Sequence, residues 1–175
     1  MRDYINFLKS YFKDKSLVGV EIGVNNCENA LELLEELNIE RFYLIDPFLN
    51  YQGFGGDGWD NISQSVYDKN FLKAQEILKK YPNTTLIREK SSEAVTKIPE
   101  IDFVYIDGNH TFNYVLNDVQ SYYLKLKQGG VLSGDNLEYK DVSNVVSQFF
   151  LLTGLNLYGA KRRVSFEWWG IKNGV

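Results

Sequence analysis

The sequence predicts a doubly wound α/β fold: a mostly parallel sheet, helices on both faces, and a last strand that runs antiparallel. Three observations carry this. Short apolar runs ("LVGVEIG", "RFYLID", "TTLIRE", "IDFVYIDG", "GVLSGDN") alternate with stretches whose apolar residues recur at helical spacing. The fourth run is apolar almost throughout, as befits a central strand buried on both faces. The chain then ends in "LNLYGA" and "VSFEWWGIK", parted by a short basic turn. Two strands so close can form a hairpin but not a parallel return, which needs a longer crossover. Five strands and a hairpin make seven.

Each element has its own signature. Tyr4, Ile5, Leu8, Tyr11 and Phe12 predict a surface helix over residues 2–14. After the first strand, Ala30, Leu31, Leu34 and Leu37 form one helical face, and the second strand ends at Asp46. Residues 47–64 are too long for a plain strand–helix link. They set several glycines among Phe48, Tyr51, Phe54 and Trp59, and such aromatics predict a lid or wall over a site. Ser65 and Asp68 open the next helix, with Tyr67, Phe71, Ala74, Leu78 and Tyr81 on one face and Pro82 as its stop. "SSEAVTKIP" is a short helix capped by Ser91 or Ser92. Phe112, Val115, Val119, Tyr123 and Leu126 mark a long helix ended by Gly129-Gly130; Val142, Val145, Phe149 and Phe150 mark the last one. No repeat, low-complexity tract or linker divides residues 1–175, so one domain is expected.

Bulk properties narrow the function. A net charge of −4 and a pI near 5.1 do not favour a phosphate backbone as partner, so no nucleic-acid partner is expected. Lys161-Arg162-Arg163 reads as a solvated turn. One cysteine, Cys27, permits no internal disulfide, and with a single histidine it cannot build a usual zinc site. A reducing cytoplasm fits. The N-terminus lacks a signal-peptide core, and no apolar run approaches the ~20 residues of a membrane span.

In open parallel sheets, ligands bind beyond the carboxyl ends of the strands. Those ends carry Glu21 and Gly23, Asp46, Asp107, and Asp135 with Asn136. Asp46 follows Gly23 by 23 residues, close to the ~20 expected of an acid that holds a ribose diol. The first loop, "GVNNCEN", has one glycine where a pyrophosphate would need several for close backbone approach. Side chains and the charge of Glu21 suit a phosphate-free, cationic adenosine ligand. S-adenosylmethionine fits that description and NAD fits it poorly, which leaves a NAD-dependent oxidoreductase a distant third reading.

"VEIGVNNCENA", "YLIDPF", "IDFVYIDGNHTFNYVLNDV" and "GGVLSGDN" resemble the class I S-adenosylmethionine-dependent methyltransferases over roughly residues 17–150. Within them, the sequence is most similar to the branch with "DGxH" after the fourth strand, which includes small-molecule and sugar O-methyltransferases. The resemblance implies a Rossmann-like methyltransferase fold. It also implies cofactor contacts from Glu21 and Gly23 near the methionine, Asp46 at the ribose, Ser92 at the adenine, and Asp107 beside the reacting centre. In metal-dependent relatives, the positions of Asp107, Asp135 and Asn136 hold a divalent cation. His110 stands where catechol-type relatives carry a lysine acting on the acceptor hydroxyl.

Chemistry gives these assignments a rationale. Two carboxylates and an amide oxygen are hard ligands suited to Mg²⁺, Mn²⁺ or Ca²⁺. A bound metal would align the acceptor oxygen and lower its pKa. Against this, Asp135-Asn136 could simply cap the next helix. His110 could act as general base near neutral pH, with Asp107 as its catalytic neighbour, or only shape a turn. Cys27 takes a place where the family usually has glycine, which crowds the cofactor edge. The expectation is an S-adenosylmethionine-dependent methyltransferase acting on a hydroxyl of a small molecule, a sugar or a phenol, with Mg²⁺ assistance open and a homodimer allowed. The alternatives are a metal-independent enzyme acting on another atom and a degenerate cofactor-binding module.

Overall fold

The computed structural model describes residues 2–50 and 62–173. Seven strands form one sheet: β1 (Leu17–Ile22), β2 (Ile39–Ile45), β3 (Thr84–Ile87), β4 (Ile101–Ile106), β5 (Leu126–Gly134), β6 (Tyr158–Arg162) and β7 (Ser165–Ile171). Their order is β3-β2-β1-β4-β5-β7-β6. The first five pair in parallel, and β7 runs antiparallel to both β5 and β6, as the hairpin requires. The chain winds outward from β1 through β2 and β3, then restarts at β4 on the other side. The crevice between the ends of β1 and β4 is therefore the switch point where open α/β sheets bind ligands.

The helices are α1 (Asp3–Phe12), α2 (Glu28–Glu36), α3 (Gln64–Leu78), α4 (Ser91–Ala94), α5 (Phe112–Lys125) and α6 (Lys140–Thr153). Two hydrophobic layers sandwich the sheet. Tyr4, Leu8, Leu33 and Ala74 pack from α1, α2 and α3 against Phe42, Phe103 and Tyr105. Val119, Tyr122, Val146 and Phe150 pack from α5 and α6 against Val20, Val104, Ile106 and Trp168. Strand β4 is buried at all six positions, and from Phe103 to Ile106 it feeds alternate residues to the two layers.

Three local expectations shift. The long helix stops at Lys125, and Gly129-Gly130 lie inside β5 rather than at a helix end. Here β5 bulges, pairing Leu126 with Ile101 and then Val131 with Phe103, and Gly129 supplies a φ of +75°. In α2 the fully buried face is Asn29, Ala30 and Leu33, with Leu31 and Leu34 half-buried at its edges. Neither Ser91 nor Ser92 caps α4; the N-cap position is Lys90, and the Ser91 hydroxyl is used elsewhere.

Candidate active site

The loop after β1 is built around a carboxylate. Val24 and Asn25 donate their backbone N–H groups to Asp46 Oδ2 at 3.0 and 2.9 Å, and Phe48 donates to Oδ1 at 2.7 Å. The amides that would cradle a phosphate in a dinucleotide site are thus taken by a side chain of the protein itself. Burial pushes the Asp46 carboxyl up, against the three amide bonds that favour its charged form. Gly23 adopts φ +87°, and a Cβ there would lie 1.9 Å from the Asp107 carbonyl oxygen. The single glycine of the loop is what lets the ends of β1 and β4 approach.

Cys27 does not crowd this edge. It sits at the N-cap of α2 with φ 68°, fully buried, and packs into the core beneath the loop. Burial pushes its thiol up to about 12, so it is an inert filler.

A cleft opens over this loop, bounded by Gly23, Asp46, Phe48, Ser91, Asp107 and His110 among others. Apolar Ile22, Ile45 and Pro47 also line it. Phe48, of the expected aromatic wall, is buried against Phe71, with ring centroids 5.3 Å apart. Tyr51, Phe54 and Trp59 lie outside the described residues. His110 Nε2 stands 3.4 Å from Asp107 Oδ1, and its ring lies 5.1 Å from that of Tyr139. Burial raises the Asp107 carboxyl; the His110 hydrogen bond lowers it and the neighbouring Asp135 charge raises it further.

Two expected cofactor residues are not in this cleft. Ser92 is exposed, and its neighbour Ser91 lines the cleft instead. Glu21 points to the α1–α2 side, 1% exposed, with Oε2 lacking a hydrogen-bond partner. Burial pushes its carboxyl up to about 8, so near neutral pH it adds little negative charge to the site.

Asp107 and Asp135 follow neighbouring strands, as expected, but with Asn136 they do not fit a divalent cation. Asp135 Oδ2 faces Arg162 Nη1 at 3.4 Å, and Oδ1 accepts the Asn136 backbone N–H at 2.8 Å. The guanidinium supplies the positive charge that a metal would bring. Among the described residues, no three or more His, Cys, Asp or Glu gather as a metal site. Arg162 departs from the solvated turn expected of Lys161-Arg162-Arg163: Lys161 and Arg163 are exposed, while the Arg162 side chain is only 12% exposed. Strand alternation was the available signal, since β6 sends Ala160 and Arg162 to the same inward side.

Asp118, the last acid of "IDFVYIDGNHTFNYVLNDV", belongs to the site although the sequence assigns it no chemistry. It is 2% exposed, lines the cleft and accepts a 2.5 Å hydrogen bond from Ser91 Oγ. Its spacing with Val115, Val119 and Tyr122 already placed it on the buried face of α5.

Comparisons with known proteins agree with this architecture. The sequence matches a family described as "Methyltransferase domain" over residues 20–137. A search among curated proteins returned no match. Similar solved structures include an rRNA methylase from Streptococcus thermophilus, at 15% identity and a TM-score of 0.69, covering 98% of this chain and 95% of that one. A precorrin-6y C5,15-methyltransferase from Geobacter metallireducens has 15% identity and a TM-score of 0.69, covering 98% and 88%. TrmK from M. capricolum, solved with S-adenosyl-homocysteine as the natural cofactor product, has 15% identity and a TM-score of 0.63, covering 99% and 69%. The expectation of no nucleic-acid partner does not stand, because a protein of this same fold is an rRNA methylase. Whole-chain charge averages over the surface and does not decide the acceptor. Among the described residues, no helix is long and apolar enough to cross a membrane. The seven-stranded order and the cleft at the β1–β4 switch point agree with the family match, and the chain belongs to the methyltransferase-domain family.

Proposed function

We propose that the protein transfers the methyl group of S-adenosylmethionine to a hydroxyl of a small molecule, a sugar or a phenol. The observation that carries this is the meeting of the His110–Asp107 pair with the Asp46 loop in one cleft. In this reading Gly23 and Asp107 flank the methionine part. Asp46 Oδ1 takes one protein N–H, so a lone pair is left for a ribose hydroxyl.

The chemistry is a displacement at carbon. A lone pair of the acceptor oxygen attacks the methyl carbon in line with its bond to sulfur. That bond breaks, its electron pair goes to the sulfonium, and S-adenosylhomocysteine leaves as a neutral thioether. The hydroxyl proton passes to the His110 imidazole, and Asp107 orients the ring and stabilises its cationic form. No step runs through a metal, because Asp135 is held by Arg162.

The test uses methyl-labelled S-adenosylmethionine with catechols, sugars and ribosomal RNA. Label is expected in a small hydroxyl compound, and turnover is expected to survive EDTA. His110→Ala is expected to lower kcat by about 10²–10⁴ while leaving S-adenosylhomocysteine affinity intact. Label in RNA alone would overturn the acceptor, and unchanged kcat in the variant would overturn the base.

A further inference from the structure

We propose that Asp118 reads the base of the adenosine ligand, its carboxyl group meeting the 6-amino edge of adenine and selecting 6-amino over 6-oxo purines. This rests on the S-adenosylmethionine reading of the cleft. Asp118, on α5, is 2% exposed, yet it lines the same cleft as the Asp46 loop. Apolar Ile22, Ile45 and Pro47 share that cleft and can bed a flat ring. Ser91 Oγ holds Asp118 Oδ1 at 2.5 Å and fixes the plane of the carboxyl group. Oδ2 stands 3.8 Å from where a Cβ on Gly108 would be, and Gly108 also lines the cleft.

Among the described residues, no lysine or arginine forms an ion pair with Asp118. A buried carboxyl without a cation is costly, and holding Ser91 alone would need only a neutral acceptor. Burial pushes the group up to about 7, with the Ser91 and Asn117 hydrogen bonds opposing. An incoming N–H donor would favour its charged form. Adenine presents such a donor at N6, beside the acceptors N1 and N7. A 6-oxo purine presents a carbonyl oxygen at C6, which a carboxylate repels. Sites built to hydrogen-bond one such group discriminate strongly against analogues lacking it.

Titration calorimetry of the full chain with S-adenosylhomocysteine and S-inosylhomocysteine tests the assignment. The native protein is expected to bind the adenosyl compound at least about tenfold more tightly. Asp118→Asn keeps an acceptor for Ser91 and adds a donor for a 6-oxo group, so the preference is expected to fall to near unity or reverse. A native protein that binds both ligands equally overturns the role of Asp118 and needs no variant to show it. A variant that keeps the native ratio does the same. Native protein that binds neither compound overturns the cofactor reading as well.

Discussion

Asp46 illustrates how a single side chain sets the character of the site. Sequence spacing makes it the expected acid for a ribose, and in the structure its partners are the N–H groups of Val24, Asn25 and Phe48. It therefore shapes the loop before it meets any ligand. Asp46→Ala is expected to cost about 1–3 kcal/mol of stability, the loss that follows when amides lose an acceptor. It should also weaken S-adenosylhomocysteine binding; urea unfolding and calorimetry measure the two effects separately. A loss of affinity without a loss of stability would mean that the loop does not depend on this carboxylate. Other residues were less legible. The direction of Glu21 was hidden because every residue of β1 except Val18 is buried, so alternation could not say which face each side chain takes. Cys27 looked intrusive because a linear motif does not show that a left-handed φ turns the thiol toward the core.

At the scale of elements, the strands and their order of appearance were readable because apolar runs and helical periodicity are local properties. The β5 bulge was not, since a pair of glycines after a helix reads equally well as its stop. Arg162 was misread for a related reason: composition marks a basic turn, while insertion of one guanidinium beside Asp135 depends on how β6 pairs with β7. The contact between the β1 and β4 loops gives a direct test of element geometry. Gly23→Ala places a methyl group against the Asp107 carbonyl and forces an unfavourable positive φ. The backbone conformation alone costs about 1–2 kcal/mol, so a total loss above that range is expected in urea unfolding. A loss below about 1 kcal/mol would show that the two loops separate easily.

For the whole molecule, buried carboxyl groups set the pH dependence of stability. Glu21 is raised to about 8 and Asp118 to about 7, so both stay protonated in the folded state after their unfolded counterparts ionise. Their stabilising contribution is complete below the unfolded pKa, about 4, and is lost as pH rises toward the folded values. Asp102 and Glu32 act in the opposite sense. For Asp102, burial raises the carboxyl, but hydrogen bonds from Lys15, Val18 and Lys127 bring it below its usual range; for Glu32, burial is likewise outweighed, by Arg2. Their contribution is lost as pH falls through those lowered values. Stability is expected to peak near about pH 5 and to fall by a few kcal/mol toward about pH 8, with Glu21→Gln flattening the fall. Urea midpoints across this interval check it, and a midpoint that rises with pH would contradict it.

The proposed function requires that the cleft over the Asp46 loop hold the adenosyl cofactor. The most direct measurement is calorimetric titration of the native chain with S-adenosylhomocysteine, repeated with Asp46→Ala. Saturable one-to-one binding that weakens at least about tenfold in the variant is the expected result, as the loss of a hydrogen bond to a charged group implies. Absence of binding by the native chain, or equal affinity in the variant, would contradict the claim.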